Sequence, residues 1–179
     1  MTRVFQYGSN ALAARFNGPR RLNGHADDLG RAETLDDLDI SFDNDSQTNG
    51  CATANLVPAK GRRAWGVVYE IPDEFVFGVR EDGQRTLFQI EGPTYEMKTL
   101  RVMNPSGTKF DAITFVVKAT ERRAGLATSA AFVSWVVYGL RGHGVPEEYV
   151  KHVVEIARET NLRAGHASTK EQLRLIDTL

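Results

Sequence analysis

Residues 112–118 read Ala112-Ile113-Thr114-Phe115-Val116-Val117-Lys118, and residues 130–141 read Ala130-Ala131-Phe132-Val133-Ser134-Trp135-Val136-Val137-Tyr138-Gly139-Leu140-Arg141. The first stretch is short, β-branched and aromatic, the composition of a buried strand. The second is long enough for a buried helix and is stopped by Gly142 and Gly144. Between them, near residue 128, the period of the chain changes.

Upstream of that change the sequence reads as strands and turns. Val4 to Tyr7 is a short β-like run that ends at Gly8-Ser9-Asn10, a turn composition. Leu38 to Phe42 alternates as a half-buried strand, Cys51 to Val57 reads as the next, and Trp65 to Ile71 is a stronger one ended by Pro72. Tyr95 to Met103 alternates again. Asn-Gly pairs at Asn17, Asn23 and Asn49 mark turns that accept positive φ.

Downstream it reads as helix. Pro146 stands at a favoured first helical position, with Glu147 and Glu148 complementing the dipole and Tyr149, Val153, Ile156 and Ala157 forming an apolar stripe. A last helix is expected from Ser168, whose spacing to Glu171 is that of a capping box. Strands followed by helices predict an α+β fold, and six short strands in so small a chain predict a mixed, closed or nearly closed β-barrel flanked by helices. With no repeat or low-complexity linker, residues 1–179 are expected to form one domain.

Composition excludes little. The 22 Lys and Arg against 23 Asp and Glu give a net charge of −1, which argues against a global field holding nucleic acid or membrane. Leu126 to Leu140 is too short and too polar to span a bilayer, and no apolar run of signal-peptide length opens the chain. Cys51 has no partner for a disulfide, which suits a cytoplasmic location.

Several apparent sites fail on spacing. The acidic segment from Asp27 to Asp45 begins like a calcium loop at Asp43-x-Asp45, but Thr48 and Ala54 stand where Gly and Glu are needed, so it reads as a solvated acidic face. Lys60, Arg62 and Arg63 read as a charged hairpin loop, without the aromatic interleaving of a nucleic-acid site. His143, His152 and His166 lack zinc spacing and read as surface or helix-cap residues; Cys51 reads as a buried small hydrophobe. Ser9 lacks the Gly-x-Ser-x-Gly frame of a nucleophile elbow.

Two features remain. The strand-to-turn passage Tyr7-Gly8-Ser9-Asn10 is either an ordinary Asn-containing turn or a place where successive N–H groups converge on a ligand. Glu91-Gly92, entered through Leu87 and Ile90 and left through Tyr95, is either a solvated loop glutamate or a partly buried one. Burial would raise its pKa and make it a better base.

Four blocks in order resemble the γ-glutamylcyclotransferase family: Tyr7-Gly8-Ser9-Asn10, Trp65-Gly66-Val67-Val68-Tyr69, Glu91-Gly92 with Tyr95, and Gly144-Val145-Pro146-Glu147-Glu148-Tyr149. Gly50-Cys51-Ala52-Thr53 is a weaker match between the first two. The resemblance implies a small mixed barrel, no cofactor and no metal, and cyclisation of γ-glutamyl compounds to 5-oxoproline with release of an amine. It implies that Glu91 is the catalytic acid/base and that Tyr7, Gly8, Ser9 and Asn10 hold substrate, with Tyr95 and Phe132 beside it. A homodimer is expected on the same ground.

Asn10 sets the motif apart from the glutathione-specific branch, which has Leu there. Phe88 replaces a common Asp, Phe132 replaces a tyrosine that can approach substrate, and the segment from Phe75 to Arg85 is longer than in the simplest members. Those departures keep open a non-catalytic metabolite-binding or regulatory module on the same fold.

Overall fold

In the computed structural model, which describes residues 1–80 and 83–179, the strands are β1 (Thr2–Gln6), β2 (Asp27–Thr34), β3 (Leu38–Ser46), β4 (Cys51–Pro58), β5 (Trp65–Ile71), β6 (Tyr95–Met103) and β7 (Lys109–Val117). The helices are α1 (Ala13–Phe16), α2 (Asp73–Val76), α3 (Leu87–Glu91), α4 (Ala130–Gly142), α5 (Glu147–Ala164) and α6 (Lys170–Ile176). Five strands close a barrel in the order β1-β5-β2-β6-β7, and β3 with β4 forms a separate two-stranded ribbon. The fold is α+β.

The barrel is mixed because β1 lies antiparallel to β5 and parallel to β7, with Val4 opposite Ile113. Val4, Phe5, Val67, Tyr69, Ile71 and Val102 on its strands are all without solvent exposure. Val4 and Phe5 are neighbours and face opposite sides of β1, so this stave is buried on both faces.

The acidic segment is the main correction. Residues 27–34, read as a solvated acidic face, are also a strand the sequence did not show, stave β2, which pairs with β5 from Asp27↔Glu70 to Glu33↔Trp65 and with β6 at Glu33 and Thr34. Its carboxylates face out, a register shift follows Asp28, and only Ala32 and Thr34 are buried. The six strands read from the sequence therefore divide: β1, β5, β6 and β7 are staves, whereas β3 and β4 are the ribbon. Residues 60–63 join ribbon to barrel and are no hairpin loop.

Smaller differences have local causes. Pro146 is the N-cap, so α5 starts one residue later. Thr169, not Ser168, caps α6, accepting from the Gln172 N–H at 3.1 Å. Cys51 is half-buried and accepts a hydrogen bond from Ser129 Oγ at 3.4 Å. Of the three histidines read as surface or cap residues, His166 is exposed, whereas His143 bonds Asp28 at 2.8 Å and His152 bonds Asp39 at 2.8 Å. Within the long 75–85 segment, positions 81 and 82 lie outside the described residues.

Two glycines place the site. A Cβ on Gly66 would stand 2.7 Å from the Gln6 carbonyl oxygen, so β5 can press on the end of β1 only without a side chain. A Cβ on Gly139 would stand 2.4 Å from the Leu12 nitrogen, so α4 lies directly on the turn that leaves β1. The helix thereby brings Phe132 and Trp135 to the turn Tyr7–Asn10.

Candidate active site

The chain leaves β1 at Gln6 and enters a 3-10 segment, Ser9–Ala11, closed by Ala11 N–H donating to Gly8 O at 2.9 Å and Leu12 N–H to Ser9 O at 3.4 Å. The N–H groups of Ser9 and Asn10 precede those bonds and belong to the unspent donors of a helical start. Ser9 and Asn10 are themselves buried.

Opposite stands Glu91, the last residue of α3. That helix opens with a reciprocal cap between Thr86 and Gln89 and is anchored by fully buried Leu87. It ends at Gly92, whose φ of 81° turns the chain into β6. The glutamate is thus on a helix end and not in a loop.

Asn10 Nδ2 donates to Glu91 Oε1 at 2.9 Å, closing 81 residues of sequence across one cavity. The cavity measures about 850 Å³, a volume suited to a small molecule. Glu91 keeps some exposure as a residue, all of it compatible with facing this cavity, while the surrounding protein crowds its carboxylate. That desolvation raises its pKa above the usual 4.5, against the opposing pull of Arg21, Arg15 and the Asn10 hydrogen bond. Glu91 Oε2 has no hydrogen-bond partner among the described residues.

The other expected residues fall around the same cavity in different roles. Tyr7 lines it, but its hydroxyl donates to the Phe115 carbonyl at 2.6 Å, and burial raises its pKa well above 10.0. Tyr95 accepts from Asn44 Nδ2 at 3.1 Å and lies 3.3 Å from Thr53 Oγ1. Burial and the charge of Glu91 keep its phenol protonated. Phe132 lines the cavity in the first turn of α4, edge-on to Trp135 and Phe42. Phe88 is 53 % exposed, packs edge-on against Phe115 and does not line the cavity.

Sequence reasoning missed the cations. Arg15, Arg20, Arg21 and Arg85 all line the cavity. Arg15 donates through Nε to Ser9 Oγ at 3.2 Å and lies 4.0 Å over the Trp135 ring, an ordered guanidinium. The adjacent pair Arg20-Arg21, close after the Tyr7–Asn10 turn, was the available signal. Asn44 was also missed; its Oδ1, like that of Asn10, is buried without a partner. Two unpaired amide oxygens beside one cavity are acceptors waiting for a donor.

Asp43, the first residue of the supposed calcium loop, instead accepts from Arg122 Nε at 2.7 Å and Asn55 Nδ2 at 2.9 Å. No helix is long and apolar enough to cross a membrane among the described residues.

The closed mixed barrel with its flanking helices matches the fold of γ-glutamyl cyclotransferase-like structures. A solved structure described as gamma-glutamyl cyclotransferase matches 99 % of this chain and 99 % of its own at a TM-score of 0.72 and 21 % identity. The uncharacterized protein loc79017 from Homo sapiens matches over 98 % of both chains at 0.72 and 23 % identity. YkqA from Bacillus subtilis matches 87 % of this chain and 54 % of its own at 0.62 and 22 %. At these identities the likeness is one of fold. No family model and no curated protein matches the sequence.

Proposed function

We propose that this protein is a γ-glutamyl cyclotransferase that converts a γ-glutamyl amine or γ-glutamyl amino acid to 5-oxoproline and a free amine. The carrying observation is the Asn10–Glu91 hydrogen bond, which joins the two sequence motifs across a cavity and leaves the second carboxylate oxygen unpaired.

The substrate's α-ammonium and γ-carbonyl belong to one flexible chain, so holding it folded supplies much of the catalysis. Glu91 Oε2 accepts a proton from the ammonium, and the freed nitrogen forms a bond to the γ-carbon. The tetrahedral oxyanion is met by a fixed donor, for which the N–H groups of Ser9 and Asn10 are the candidates. Glu91 returns its proton to the departing nitrogen as the old C–N bond breaks. The ring nitrogen's second surplus proton leaves with the amine, which departs as an ammonium ion. A raised pKa at Glu91 suits it to both transfers.

Asn10 Oδ1 and Asn44 Oδ1 offer acceptors to an ammonium, and Arg15 and Arg21 offer charge to the α-carboxylate. Every step uses side chains and backbone of the chain, without a cofactor. The partner is a small molecule, and a reducing cytoplasm suits the lone thiol of Cys51.

The test is release of 5-oxoproline from a panel of γ-glutamyl compounds. Product with wild-type protein and its loss in Glu91→Gln support the reading; no product from any compound removes it. Phe132 favours a second reading, a binding module, because no hydroxyl stands at that point of the cavity. Ligand binding without turnover would select it.

A further inference from the structure

The cavity has more positive charge than a γ-glutamyl amine can use. Among the described residues its lining carries four guanidinium groups, Arg15, Arg20, Arg21 and Arg85, against two carboxylates, Asp45 and Glu91, a surplus of two positive charges. None of the four arginines forms an ion pair among the described residues. Elsewhere Arg122, Arg123, Arg141, Arg158 and Arg163 all lie within 4 Å of a carboxylate. A cluster of unpaired like charges costs self-repulsion, and it is a binding feature when a ligand of opposite charge relieves it.

The four fall into an inner and an outer pair. Arg15 and Arg21 are half-buried and are the two cations that act on Glu91. Arg20 and Arg85 are exposed at the rim. The inner pair is matched by the α-carboxylate of the glutamyl group together with Glu91. The outer pair has no counterpart in the reacting half of the substrate.

We propose, resting on the cyclotransferase reading, that the leaving group is an acidic amino acid, with Arg20 and Arg85 binding its carboxylates. At neutral pH a γ-glutamyl amine carries no net charge, γ-glutamyl-alanine carries one negative charge and γ-glutamyl-glutamate two. Only the last balances the surplus of the cavity. The cavity volume of about 850 Å³ also leaves room beyond the glutamyl group for such a leaving half. Planar guanidinium forks suit carboxylates, and a leaving group bearing a free ammonium side chain meets repulsion at the same rim.

The experiment compares γ-glutamyl-glutamate, γ-glutamyl-alanine and γ-glutamyl-methylamine in two readouts. One is 5-oxoproline release by wild-type protein; the other is calorimetric affinity for Glu91→Gln, in which turnover is suppressed. Affinity is expected to fall in the order given, by about tenfold or more between the first two, and the gap to shrink as salt is raised. In Arg20→Glu/Arg85→Glu, a double change at exposed positions, the preference for γ-glutamyl-glutamate is expected to vanish or invert. Equal affinities, or a preference that the double change does not move, overturns the acidic leaving group. An intact affinity order with no 5-oxoproline from any compound sustains the acidic ligand and removes turnover alone.

Discussion

Two carboxylates are held by side chains far away in sequence, and they are held differently. Asp39 on β3 meets His152 of α5 through both oxygens, at 2.8 and 2.9 Å, and Oδ1 also takes the Ile40 N–H at 2.8 Å. Glu91 meets Asn10 through one oxygen only and keeps the other unpaired beside a cavity. Asp39 has spent its acceptors on tying the ribbon to a helix. Glu91 has kept capacity for something that is not protein. The difference separates a joint from a site without reference to any relative.

The largest expected effect tests the site side of that contrast. Glu91→Gln keeps the shape and the acceptor for Asn10 but cannot take a proton, so 5-oxoproline formation should fall by about a hundredfold to ten-thousandfold. A rate within a few fold of wild type would make Glu91 a second joint. Asn10→Ala should act next most strongly. It releases the carboxylate from its orientation, and a lost hydrogen bond to a charged group is worth about 1.5–3 kcal/mol, roughly ten- to a hundredfold in kcat/KM. Rescue by Asn10→Gln is not expected, since the longer side chain would displace the carboxylate it has to hold.

The joint side is tested by stability. His152→Ala leaves the half-buried Asp39 without its partner and should lower unfolding free energy by about 1–3 kcal/mol in urea titrations. Its kcat is expected to stay at the wild-type value, because neither residue lines the cavity. A loss of turnover without a loss of stability would reverse the two assignments.

How much of this was legible follows from how local each feature is. The turn after β1 shows in the sequence because turn chemistry is written in neighbouring residues, and Glu91-Gly92 shows as a candidate, although the short helix that carries Glu91 does not. Strand β2 does not show. Its outward face carries Asp27, Asp28 and Glu33, only Ala32 and Thr34 are buried, and what makes it a strand is pairing with β5 more than thirty residues away. The arginines are hidden for the same reason. Arg15 lies in α1, Arg20 and Arg21 follow it and Arg85 precedes α3, so they become one cluster only when the barrel closes and Gly139 seats α4 on the turn. Side chains that converge through topology leave no spacing to read.

The smallest expected effect concerns the cost of keeping Glu91 poised. Its folded pKa is raised above the unfolded 4.5, chiefly by burial, so the native state binds the proton more tightly than the unfolded chain does. The sign is then fixed. Below about 4.5 both states hold the proton and Glu91 behaves like Gln; as pH rises through the folded value, the stability this proton contributed is lost. Thermal unfolding of Glu91→Gln and wild type should coincide in acid and separate toward neutral pH, with the variant the more stable. Asp39 supplies the control, since a carboxylate whose oxygens are already occupied by His152 and a backbone N–H has hydrogen bonds to lose when it is neutralised. Asp39→Asn should therefore destabilise at neutral pH, where Glu91→Gln stabilises. If both variants moved in the same direction, an open oxygen beside a cavity would no longer distinguish a catalytic carboxylate from a structural one.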